Sequence, residues 1–121
     1  MADDDRELGE ALDRWELSLF ADEPFRSGQL GDALSALFGN GDGAWAASLR
    51  AAVLLGEKTK DRAELLGCLR DERAGPAARD AVRRALVETL LHGNRRELVL
   101  ALDETLLGLR PRPATSSLAA A

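Results

Sequence analysis

The stretch GPAARDAVRRALVETLLHGNRRELVLALDETLLGLR, residues 75–110, decides the fold. It reads as two helices joined by a tight turn. Pro76 stands where a first-turn proline is tolerated, because its missing N–H would have had no intrahelical partner. Small or apolar residues follow at Ala78, Ala81, Val82, Ala85, Leu86, Thr89 and Leu90, a spacing of three and four that gathers them on one face. Asp80 and Arg84 have the i, i+4 spacing of an exposed ion pair. His92 falls in the last turn, and Gly93 beyond it is free to take the left-handed conformation that ends a helix. Asn94 is a good N-cap, with Glu97 placed three residues on to reach back to the cap N–H. Leu98, Ala101, Leu102, Thr105, Leu106 and Leu109 form a second stripe, and Pro111 forbids continuation. So short a connection predicts antiparallel neighbours.

Four more helical patterns precede this hairpin. The first is predicted over residues 5–20, with Leu8, Leu12, Trp15 and Leu19 on one stripe and carboxylates at its positive end, where Asp4 and Glu7 have capping-box spacing. Pro24 and Gly28 break the pattern, and Phe25, apolar inside a polar loop, is expected to plug back into the core. Ser27 is placed to cap a second helix over 28–38, whose apolar face is Leu30, Ala33, Leu34, Leu37 and Phe38. After the turn GNGDG, Asp42 is placed to cap a third helix over 43–55. There Trp45, Leu49, Ala52 and Val53 share a face while Leu54 and Leu55 lie on other sides. A helix apolar round most of its circumference is central or lies at an interface. A fourth helix is predicted over 60–73, with Leu65, Leu66 and Leu69 inward and Cys68 beside them; the hairpin supplies the last two, over 76–92 and 95–109.

No segment alternates with period two, so strands are not expected. The expected fold is all-α, a compact bundle of about six antiparallel helices. It forms one domain over residues 1–110, followed by a mobile tail over 111–121 that has no periodic face. Trp15, Leu34, Phe38, Leu49, Leu86, Leu102 and Leu106 are its predicted core.

Charge is unevenly divided. Residues 1–57 carry 4 Arg against 12 Asp/Glu, a balance of −8, whereas residues 58–121 carry 12 Lys/Arg against 9 Asp/Glu, a balance of +3. Such halves are either ordinary solvated surfaces or opposite charges that attract within one fold or between copies placed head to tail. The single cysteine excludes an intramolecular disulfide, and no apolar run approaches membrane-spanning length. With no apolar leader behind the acidic start, a cytoplasmic location is the expectation. The absence of Ile and Tyr, with Arg supplying 14 of the 16 basic residues, is the imprint of a GC-rich, bacterial-type genome.

Reactive chemistry is scarce. His92, the only histidine, has no nucleophile or carboxylate constellation in the sequence, and the helix dipole accounts for its place. Cys68 sits among leucines, as a small buried hydrophobe would. The loop Asn40-Gly41-Asp42-Gly43 lacks the twelve-residue ligand spacing and closing glutamate of a calcium loop. No phosphate-binding, dinucleotide, zinc-protease or serine-hydrolase motif is present. No catalytic residue, metal or cofactor is therefore expected.

One concentration of cations stands out: Arg79, Arg83 and Arg84 with Arg95 and Arg96. The interleaved Asp80, Glu88 and Glu97, the acidic balance and the lack of an aromatic platform argue against nucleic acid. An acidic protein surface fits better, including that of a second copy, with Leu54 and Leu55 as its apolar complement. Within this region ELLGCLRDERAGPAARDAVRRAL, residues 64–86, resembles a single HEAT-type helical repeat. The resemblance rests on a leucine-bearing helix, Asp71 in the turn, then Pro76, Arg79, the small residues Ala81 and Ala85, and Leu86. It implies a protein-binding scaffold and a short HEAT-like stack; a six-helix bundle laid out like the death-fold adaptors is the equal alternative, on helix count alone. The expected function is a non-catalytic protein–protein interaction module, an adaptor, regulator or assembly subunit. A nucleic-acid-associated regulator using the arginines is second, and an enzyme subunit third.

Overall fold

Glycine and asparagine set the ends of the hairpin helices where their chemistry allows. A computed structural model describes residues 6–71 and 76–115, and among these it holds six α-helices and no strand. They are α1 (Arg6–Phe20), α2 (Phe25–Phe38), α3 (Gly43–Leu55), α4 (Thr59–Asp71), α5 (Pro76–His92) and α6 (Arg95–Leu106). The expected Asp4 cap and the extension of the fourth helix to residue 73 lie outside the described residues. Gly93 takes φ +86°, and Asn94 Oδ1 accepts the Glu97 N–H at 3.1 Å. Gly93 and Asn94 therefore build the turn as expected, but the reciprocal bond from the Asn94 N–H to the Glu97 carboxylate is not made among the described residues.

The end of α6 differs from expectation. Gly108, not Pro111, stops the helix: it takes φ +78°, its N–H donates to Thr105 O at 3.0 Å, and the Leu109 N–H donates to Glu104 O at 2.8 Å. This pair of bonds is a Schellman cap, which turns the chain away three residues early. Leu109 is consequently 71% exposed and Leu106, expected in the core, 44%.

Corrections of the same kind apply at α2 and α1. Helix α2 begins at Phe25 rather than at 28, and Phe25 is 71% exposed instead of plugging the core. Ser27 caps nothing; Glu23 does the work, accepting the Ser27 N–H at 2.9 Å and its hydroxyl at 2.6 Å. Along α1 the fully buried residues are Leu8, Ala11 and Ser18; Leu12 and Trp15 of the expected stripe pack partly buried against the core, and Leu19 does not. Small Ser18 lets the end of α1 lie close to its neighbours, so Leu19 and Phe20 point to solvent. Trp15 is only half-buried and donates its indole N–H to Arg79 O at 3.4 Å.

Helix α3 is the centre. It packs against α2, α4, α5 and α6, and every residue from Ala51 to Leu55 is buried. Its first turn reaches the surface, where Trp45 is exposed beneath the Arg70 guanidinium, 4.6 Å from the ring centroid, and Leu49 is half-buried. Leu34, Phe38, Leu86 and Leu102 are core residues as expected. Gly56 closes the helix where a Cβ would lie 2.8 Å from Ala52 O and 2.7 Å from Arg62 Cγ. That close approach admits the Arg62 side chain, whose Nε donates to Gly56 O at 2.9 Å.

The first part of the expected tail lies against the bundle. Arg112 donates to Leu54 O at 2.7 Å, satisfying a carbonyl at the C-terminal end of α3, and Thr105 Oγ1 donates to Pro111 O at 3.2 Å. Residues 116–121 lie outside the described part.

Candidate functional site

The seven residues singled out as a partner surface do not form one. Leu54 and Leu55 are 1% and 8% exposed: the apolar surface that α3 carries in excess of one face is covered by its own neighbours, not offered to a partner. Arg95 is buried too, donating to Leu37 O at 3.1 Å with Glu7 3.8 Å away. Asp80 accepts from Arg83 at 3.0 Å, three residues on, and not from Arg84. Arg79 is half-buried and Arg96 exposed. Of the seven, Arg84 and Leu55 line one cleft.

Two of the chain's arginines serve the end of α2. Arg50, on α3, is buried; it donates to Phe38 O at 2.7 Å, to both carboxylate oxygens of Asp42 at 2.6 and 3.0 Å, and to Asp103 of α6 at 2.7 Å. Arg95 takes the adjacent carbonyl of Leu37. Cations at these carbonyls are favoured twice, by the unsatisfied acceptors and by the negative end of the helix dipole. The hydrogen bonds from Arg50, helped by the Asn40 N–H, hold the Asp42 carboxyl well below the usual carboxylate range. The same bond raises the Arg50 pKa against the opposing effect of burial. Asp42 thus makes no cap bond to α3; its carboxylate is committed to Arg50. This centre went unread in the sequence, where the one available signal was Arg50 immediately before the apolar run AAVLL of α3.

The second polar feature is a cleft of about 430 Å³ between the end of α3, α4 and α5. Leu55 and the half-buried Leu65 and Cys68 make its floor. Glu57, Asp61 and Glu64, all exposed, line the α4 side. Arg84 lines the α5 side, and its Nε is buried with no hydrogen-bond partner among the described residues. Asp61 also accepts the Lys58 N–H at 3.3 Å, a cap for α4. No ion pair engages Arg84 or these three carboxylates among the described residues. His92 lies elsewhere, in a groove of about 300 Å³ shared with Leu91 and residues 113–115. Among the described residues no three His, Cys, Asp or Glu side chains are grouped to hold a metal, and no helix is long and apolar enough to cross a membrane.

The third feature is apolar. On α6, Leu98 and Leu102 are buried while Leu100 is 61% exposed, and Leu107, the C-cap in helical conformation just past its end, is 74% exposed. At about 100° per residue, a circuit of the outer surface of α6 meets Arg96, then Leu107 and Leu100, then Glu104 and Glu97. A leucine ridge therefore runs between a basic and an acidic flank. Glu104 is 3.5 Å from Arg110, an exposed contact that exchanges readily. Leu90 and Leu91 expose further apolar surface at the end of α5. Comparison of the chain with protein-family models, with curated proteins and with solved structures found no match.

Proposed function

We propose that this protein is a non-catalytic helical interaction module that binds a protein partner through the outer ridge of α6. The observation that carries the reading is the pair Leu100 and Leu107, one helical face apart by seven residues and largely in water. Single exposed leucines are ordinary, but aligned ones rimmed by charge mark association surfaces. The dispersal of the arginines supports a protein partner over nucleic acid, since Arg95 is buried and Arg83 paired. The HEAT-type resemblance of residues 64–86 supports a scaffold role, and the lone cysteine a cytoplasmic one.

The test is affinity capture with wild-type protein and with the double variant Leu100→Glu, Leu107→Glu. The variant is expected to lose the partners that wild type retains while melting at the same temperature, because both positions are solvent-facing. Retention of the same partners at the same yield would overturn the reading.

A further inference from the structure

Three hollows invite a ligand. The hollow beside Gly39–Gly41 is held by Arg95 and Glu7, which serve the α2 end. The groove at His92 is walled by residues 113–115. The cleft between α4 and α5 is different, because among the described residues its charged groups form no ion pair: three carboxylates stand on one side, of which only Asp61 accepts a backbone N–H, and Arg84, its Nε buried without a hydrogen-bond partner, on the other.

We propose that the occupant of this cleft is the α6 ridge of a second copy of the chain. This rests on the reading of α6 as the interaction surface and names its partner. The cleft asks for a narrow apolar ridge with a cation on one flank and an anion on the other. The α6 surface has that order: Arg96 on one edge, Leu107 and Leu100 in the middle, Glu104 and Glu97 on the other edge. Seated in the cleft, the leucines cover Leu65 and Cys68. Arg96 meets Glu57, Asp61 and Glu64, and the acidic flank meets Arg84. Among the described residues, the exposed apolar faces of α1 and α5 lack this arrangement. Leu17 and Phe20 of α1 have Asp13 and Glu16 beside them, which the α4 carboxylates repel, and on α5 Asp80 and Arg83 are spent on each other. Ridge and cleft are different surfaces, so the contact is heterologous: each chain brings one of each.

That asymmetry supplies the experiment. Arg84→Glu spoils the cleft and leaves the ridge; Leu100→Glu spoils the ridge and leaves the cleft. Sedimentation of the wild-type chain, from tens to hundreds of micromolar, is expected to show concentration-dependent association that each variant alone weakens by roughly tenfold or more. An equimolar mixture of the two variants is expected to recover a dimer, because one intact ridge and one intact cleft remain. Cys68, the only cysteine, reports the same event from the cleft floor: thiol labelling should slow as wild type associates, and Leu100→Glu should abolish that protection. Circular dichroism confirms that both variants fold. A wild-type monomer throughout the range, association indifferent to Arg84→Glu, or no rescue in the mixture overturns the proposal. A monomer whose Leu100 and Leu107 still capture another protein would do so while leaving the function proposed above intact.

Discussion

The α2 end and the α4–α5 cleft each turn on an arginine, and they teach opposite lessons. At the α2 end, Arg50 spends its guanidinium on two carboxylates and a backbone carbonyl, drawing α2, α3, α6 and the intervening loop onto one point. In the cleft, Arg84 has an Nε buried without a hydrogen-bond partner among the described residues, and three carboxylates line the cleft with which it forms no ion pair. A satisfied buried arginine specifies the fold. One with an unmet donor costs the isolated chain stability and gives a partner something to complete.

The largest effect is expected at Arg50. Replacement by Ala leaves Phe38 O and both carboxylates without their donor, and a loss of roughly 2–4 kcal/mol is expected in urea melts. The lower part of that range reflects Asp42 and Asp103, whose side chains are 41% and 34% exposed and recover water. A loss below half a kcal/mol would mean that the centre is ornamental.

Acid titration sharpens the contrast with a smaller effect. The Asp42 carboxyl is depressed in the fold from an ordinary value near 3.8, so its contribution is present above that value and is lost as pH falls below it. Stability should therefore decline on acidification below about pH 4, and Arg50→Ala should flatten the decline. Equal slopes for the two proteins would detach Asp42 from the effect.

The smallest change is expected at Arg84. Arg84→Met keeps most of the packing of its stem and removes the unmet donor, so monomer stability should stay within about half a kcal/mol of wild type or rise. A large destabilisation would place Arg84 with Arg50 as part of the framework.

How much of this was legible depends on how far apart the interacting residues stand. The α5–α6 turn could be read because its parts are neighbours: Gly93 supplies the left-handed residue, and Asn94 bonds to an N–H three residues on. The Gly108 cap was equally local and readable, yet the stronger stop signal at Pro111 masked it. Arg50 and Asp103 are 53 positions apart, Arg95 and Leu37 58, and no spacing rule reaches across such a gap. Leu55 and Arg84 share a cleft for the same nonlocal reason.

By itself, then, the sequence determined the all-α class, the existence of each helix and the apolar character of α3, since turns, caps and the 3.6-residue repeat act within a few positions. Only the tertiary structure decided which apolar faces are covered. Leu54 and Leu100 are both leucines on helical stripes; the first is buried because four helices surround α3, the second exposed because no neighbour lies over the outer side of α6. Burial is a property of the number of neighbours in space, and the chain encodes that number only through the sum of all its contacts.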